Sequence, residues 1–244
     1  MTKHRTQILV VVGLVLLAVW GLRHAVGVNT ALVLGVIIPS IILHELAHGV
    51  TALAFGDDTA KKAGRLTLNP IRHVDPVGTL ILPGLMALSG LGAFGYAKPV
   101  PVNPARMRSP RNHSLVVSLA GPATNIVLAL VSVVVLRFAR PAGTTEQVRL
   151  ALTYGFNLLG IGDRLLFLLG FLNVSLAVLN LLPIPPLDGS AVVERVLPAR
   201  AWPTWLTIRR YAMPLLIVVF LLDSSRLQAI FAPAERLWAH LLGA

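Results

Sequence analysis

Apolar residues run through this chain in long blocks, with polar residues gathered between them. The blocks lie at about 7–23, 30–55, 77–97, 114–138, 164–187 and 210–223, and a weaker apolar stretch follows at about 227–242. Several approach or exceed the roughly 20 residues needed to span a bilayer. The pattern predicts an all-α polytopic membrane protein of about five or six transmembrane helices. It reads as a single membrane-embedded domain over 1–244, with a core at about 30–190 and flanking helices at 7–23 and 210–242. The first block follows Lys3 and Arg5, and Gly21-Leu22-Arg23-His24 is a poor cleavage site. It is therefore read as an uncleaved helix and not as a signal peptide.

Charge refines this picture. The connections 56–76, 98–113 and 188–210 carry most of the 21 Lys and Arg residues. The positive-inside bias assigns all three to the cytoplasm. If 56–76 and 98–113 share a side, 77–97 cannot be a single crossing, and its 21 residues are too few for two. Pro83, Gly84, Gly90, Gly92 and Gly95 weaken a regular helix there. A re-entrant segment is expected, packed on protein or lining a wet cavity; the alternative is an ordinary transmembrane helix with a few glycines, which hydropathy alone favours.

Composition agrees: the chain is 55% hydrophobic and 13% charged, with a mean hydropathy of +0.77. Its net charge of +11 sits in short loops beside apolar blocks, with no basic groove or aromatic platform, so nucleic-acid binding is excluded. The absence of cysteine excludes disulfides and thiolate metal sites.

The chemistry begins inside the second block, at His44-Glu45-Leu46-Ala47-His48. H-E-x-x-H on a helix puts two histidines one turn apart on one face, able to bind one Zn²⁺, with the glutamate beside them as general base. Ionisable groups are costly in a bilayer, which marks them as functional. Catalytic zinc usually takes three protein ligands and leaves one open position. Among the carboxylates, Asp188 stands out. It ends the run Asn180-Leu181-Leu182-Pro183-Ile184-Pro185-Pro186-Leu187-Asp188-Gly189, whose prolines unwind the helix. Unwound backbone near membrane depth points to a site. The alternative is a helix-terminating loop with an interfacial aspartate.

These residues resemble the site-2 proteases, the intramembrane zinc metalloproteases. His44 to His48 is similar to the family's H-E-x-x-H, and Asn180 to Gly189 to its N-x-x-P-x-P-x-L-D-G. Gly121-Pro122-Ala123-Thr124-Asn125 is similar to its G-P-x-x-N. The segments Gly64–Pro70 and Ala97–Asn103 resemble connections of the compact bacterial branch, which lacks an appended soluble domain. The resemblance implies that His44, His48 and Asp188 bind zinc and that Glu45 is the base. It also implies cleavage of a membrane-spanning substrate helix near the cytosolic face.

A helical peptide bond must unwind before attack, and the edge around 77–103 could take up the substrate by strand addition. Asn180 and Asn125 are the polar candidates for the substrate backbone or oxyanion. Capping of the broken helix is the alternative for Asn180, and tight packing beside Gly121 for Asn125. The connection 139–163 is too short for a peptide-binding module of about 100 residues, so substrate control falls to a membrane partner or to prior cleavage. The expected partners are a transmembrane protein substrate and the lipid bilayer of the cell membrane, with no nucleic acid. Competing readings are a membrane zinc protease with glutamate as third ligand, and a non-catalytic zinc-binding or transport protein.

Overall fold

A computed structural model describes residues 27–75, 97–139, 144–222 and 224–242. Among these residues all regular structure is helical. The expected helix at 7–23 lies outside them, as does nearly all of the expected re-entrant segment at 77–97. Residues 27–35 close one compact unit, and the chain from Val36 forms the second.

Three helices are long and apolar enough to cross a membrane. They are α1 (Val28–Ala54), α2 (Pro110–Phe138) and α4 (Ile161–Leu181), the last shorter than the apolar block at 164–187 suggested. At 1.5 Å per residue, the 27 residues of α1 reach about 40 Å, against a hydrocarbon core of about 30 Å. The remaining helices are α3 (Thr144–Tyr154), α5 (Ser190–Val196), α6 (Trp202–Leu222) and α7 (Ser224–Leu241). The apolar block at 210–223 forms the second half of α6, and the C-terminal stretch becomes α7.

The helix faces explain the packing. On α2 the buried positions are mostly small or polar: Gly121, Pro122, Asn125, Ala129 and Ser132. The outward positions Ile126, Val127, Leu130, Val131 and Val134 are bulky, apolar and exposed. This inverts the water-soluble pattern and suits a lipid surround, where small residues let helices approach and polar groups join them. The facing stripe of α4 presents Phe167, Gly170, Asn173 and Ala177. Helix α7 closes against the pair, with Trp238 edge-on to Phe167 at 5.4 Å between ring centroids and its indole N–H donating to Ser132 Oγ at 3.4 Å.

Beyond α1 the chain turns at Gly56 and builds a cap from the turn Thr59–Lys62 and the 3₁₀ turn Pro70–His73. Residues 97–108 return to the same end of α1. The Lys98 amide donates to the His73 carbonyl (2.9 Å), and the Arg108 amide to the Phe55 carbonyl (3.2 Å). Asp57, fully buried, accepts from the Asn103 amide (2.6 Å), the Thr59 amide (3.0 Å) and the Thr59 hydroxyl. Burial raises the Asp57 pKa, but these bonds and nearby Arg106 together hold it below the ordinary carboxylate value.

Candidate metal centre

Helix α1 carries His44 and His48 one turn apart, both buried. The Nδ1 of His48 lies 2.7 Å from the Val117 carbonyl of α2. A carbonyl only accepts, so this nitrogen bears a proton and, in the neutral ring, Nε2 presents a lone pair. The Nδ1 of His44 lies 2.6 Å from Asn125 Oδ1, and its Nε2 is likewise bare.

The two Nε2 atoms face each other at 3.1 Å. With a lone pair on each, that contact is not a hydrogen bond. Asp188 Oδ2 joins them, 3.0 Å from His44 Nε2 and 3.4 Å from His48 Nε2. It is buried and has no hydrogen-bond donor. With both rings neutral, three acceptors converge, an arrangement that a bound cation relieves.

The spacing fits zinc. Tetrahedral bonds of 2.0–2.1 Å put ligand atoms about 3.3–3.4 Å apart, and the observed separations are 3.0–3.4 Å. Among the described residues this is the one group of three His, Cys, Asp or Glu side chains able to hold a metal.

Two glycines make the space. A Cβ on Gly121 of α2 would stand 2.5 Å from both histidine Nε2 atoms, so a side chain there would fill the metal's position. A Cβ on Gly189 would collide with the Leu181 and Leu182 backbone, where the unwound turn folds onto the end of α4. The Gly189 amide then donates to the Asn180 carbonyl at 2.6 Å, holding Asp188 under the histidines.

Glu45 follows His44 on α1, and its Oε2 accepts from the Val100 amide at 2.7 Å. Arg65 fixes that segment, its Nη2 donating to the carbonyls of Lys98 (2.6 Å) and Pro99 (3.4 Å). The amides of Lys98, Val100 and Asn103 are thus bonded internally, and Pro99 and Pro101 carry no N–H. Residues 98–103 are therefore poorly equipped for the strand addition expected along 77–103, and 77–96 lie outside the described residues.

Asn125 is fully buried, with its amide committed to His44 and to Asn173. Its surroundings are those of a support for the histidine and not of a group that meets substrate. Asn180 Nδ2 donates to the Leu176 carbonyl at 3.0 Å, within its own helix. The glutamates considered as alternative ligands stand apart from the cluster. Glu194 binds the Trp205 indole and Arg209, and Glu235 accepts from Ser175. Sequence reasoning missed Asn173, Gly121's clearance at the histidines and the Val100 amide.

The sequence profile described as peptidase family M50 matches residues 30–222. The chain belongs to peptidase family M50, the site-2 protease family. It is 38% identical over 184 residues to the "Putative zinc metalloprotease YwhC" of Bacillus subtilis, covering 75% of this chain and 77% of that protein. It is 40% identical over 159 residues to the "Putative zinc metalloprotease Rip2" of Mycolicibacterium smegmatis, covering 64% and 53%. Its identity to the protein of the same name from Mycobacterium tuberculosis is 36% over 183 residues, covering 75% and 63%. The chain thus spans only part of the length of the mycobacterial relatives. No solved structure matches it. Family membership and the donor set agree on one zinc ion and on a membrane setting for the site.

Proposed function

We propose that this chain is an intramembrane zinc endopeptidase that hydrolyses peptide bonds in or near transmembrane helices of membrane proteins, the chemistry of regulated intramembrane proteolysis. The observation that carries this reading is the convergence of the His44, His48 and Asp188 ligand atoms beside a carboxylate on an apolar helix. A non-catalytic zinc protein needs only the three ligands. Glu45, with its own fixed hydrogen bond, favours catalysis.

His44, His48 and Asp188 are the proposed ligands. Bound zinc supplies Lewis acidity, activating water near neutral pH and polarising the scissile carbonyl. The chain's own groups do the rest. Glu45 takes a proton from the attacking water and passes it to the leaving amine. The Val100 amide steadies Oε2. Asn180 remains the candidate donor to the substrate carbonyl, because one of its two amide hydrogens is engaged by Leu176.

The topology follows the same logic. Two ligands lie in the C-terminal half of α1, and the third lies just past the C-terminus of α4. Both helices therefore run toward one side. The His73–Lys98 backbone bond brings the ends of the intervening segment together, which supports a re-entrant 77–97 without net crossing. Lys61, Lys62, Arg65, Lys98, Arg106 and Arg108 gather at that end, which supports a cytoplasmic active site in the cell membrane. Five or six spans in all remain the favoured count.

The deciding experiment is Glu45→Gln. It should keep a full equivalent of zinc and abolish cleavage of a transmembrane test peptide. Undiminished proteolysis in that variant would remove the assigned mechanism.

A further inference from the structure

Behind the metal site runs a line of buried polar groups with no evident part in the reaction. His44 Nδ1 meets Asn125 Oδ1 at 2.6 Å, and Asn125 Nδ2 meets Asn173 Oδ1 at 2.7 Å. Asn173 Nδ2 meets Ser40 Oγ at 2.9 Å and the Leu169 carbonyl at 2.8 Å. Ser40 Oγ meets the Val36 carbonyl at 2.8 Å. Asn125, Asn173 and Ser40 are at most 1% exposed, and they come from α2, α4 and α1.

The direction of every bond in this line is dictated from its far end. The Val36 carbonyl can only accept, so Ser40 spends its single hydroxyl proton there. Ser40 Oγ is then an acceptor, and the Asn173 group facing it must be the NH₂. The Leu169 carbonyl enforces the same choice, because both Asn173 hydrogens then have acceptors. Asn173 therefore turns its oxygen to Asn125, and Asn125 must answer with its NH₂. That leaves the Asn125 oxygen toward His44, so His44 Nδ1 must carry the proton. An amide flip anywhere along the line would set two donors or two acceptors face to face in a dry interior, at about 1–3 kcal/mol for the unsatisfied group.

We infer that Asn125, Asn173 and Ser40 form a one-way hydrogen-bond relay, anchored on two backbone carbonyls, that holds His44 in the Nδ1–H tautomer with Nε2 bare for the metal. Asn125 and Asn173 are thus positioning residues. They touch neither substrate nor reacting atoms, and they act on metal affinity through His44. His48 needs no such relay, because the Val117 carbonyl fixes its tautomer directly. The inference rests on the proposed zinc site, and its test separates the two.

The test uses the full chain in detergent, with zinc affinity read by competition against a chromogenic chelator. Loss of outer partners of a metal-bound histidine typically weakens binding about 10–100-fold. Asn125→Leu, which deletes the acceptor, should fall toward the upper end of that range. Asn125→Asp still offers His44 an oxygen and should bind zinc more tightly than Asn125→Leu, although its second oxygen faces Asn173 Oδ1. Asn173→Leu should lose about tenfold although Asn173 makes no contact with His44, because Asn125 becomes free to flip. In zinc-stripped protein labelled with ¹⁵N-histidine, the His44 signal, assigned by its loss in His44→Gln, should report Nδ1–H in wild type and Asn125→Asp. It should report a tautomer mixture in Asn173→Leu. If Asn173→Leu keeps wild-type affinity and a pure Nδ1–H signal, the relay does not set the tautomer. If instead Asp188→Ala keeps full zinc, the site reading itself fails.

Discussion

Replacing Gly121 by alanine adds one methyl group where the two histidines point. An ideal Cβ at this position lies 2.5 Å from His44 Nε2, 2.5 Å from His48 Nε2 and 2.6 Å from His44 Cε1. Ordinary contact of a methyl carbon with a ring atom begins near about 3.4 Å, so the rings or α2 must give way by about 0.9 Å. Overpacking of that kind costs about 1–3 kcal/mol in a tight interior. The effect on the metal is larger, because ligand distances are tolerated only within about 0.2 Å. Gly121→Ala should therefore fold with a lowered melting temperature and lose most of its zinc, measured by elemental analysis of the purified protein, and cleavage should fall in parallel. Gly35→Ala, whose Cβ would meet no atom of the described residues within 4 Å, is the control and should retain zinc and activity. A Gly121→Ala protein with one full equivalent of zinc and wild-type cleavage would show that α2 does not crowd the metal position, and the geometry drawn from the three acceptors would be wrong.

Three further outcomes are expected. Asp188→Ala should lower zinc content strongly while Asp75→Ala and Glu194→Ala leave it nearly unchanged, since two histidines alone coordinate weakly. Asp57→Ala should cost about 1–3 kcal/mol by stranding the Asn103 and Thr59 amides, and should lower kcat by loosening the segment that holds Glu45. Because the folded-state pKa of Asp57 is depressed, its contribution is present above its ordinary value of 3.8 and is lost as pH falls through the lower, folded value. Wild-type stability should therefore drop more steeply below about pH 4 than that of Asp57→Asn in denaturant titrations, and parallel curves would exclude this anchor. The chain has no native cysteine, so single cysteines at the exposed positions Ala63 and Ala105 can be probed in intact cells with an impermeant thiol reagent. Both should stay unlabelled until the membrane is opened, and labelling of one alone would mean that 77–97 crosses fully.

The legible part of this site was written in residue types at fixed spacing. His44 and His48 one helical turn apart, and Asp188 at the end of a proline-broken run, could be paired without coordinates. Their chemistry demands those side chains, and their cost in an apolar setting makes them conspicuous. The three main helices were legible for a similar reason, since apolar length alone marks a span. What could not be read has no spacing. Asn173 lies 48 residues from Asn125 and 133 from Ser40, and only the packing of α4 on α2 and α1 brings them together. The Val100 contact to Glu45 uses a backbone amide, which every residue but proline possesses. Gly121 was legible as a small residue for close packing. That the neighbour it accommodates is a pair of metal-facing nitrogens required the structure.

The distribution of the site over three helices also explains why each carries polar groups in an otherwise apolar interior. Helix α1 supplies two proposed ligands and the proposed base. Helix α2 supplies no ligand but both outer acceptors, the Val117 carbonyl and Asn125, together with the gap at Gly121. Helix α4 supplies the third proposed ligand just past its end and Asn173 within it. No one of these helices could satisfy its polar residues alone in lipid, where an unpartnered group costs several kcal/mol. Their hydrogen bonds therefore select this assembly over other packings of equally apolar helices. The assembly, once formed, brings three proposed ligand atoms within 3.4 Å of one another. The same contacts that make the bundle specific gather these side chains into a group able to hold a cation.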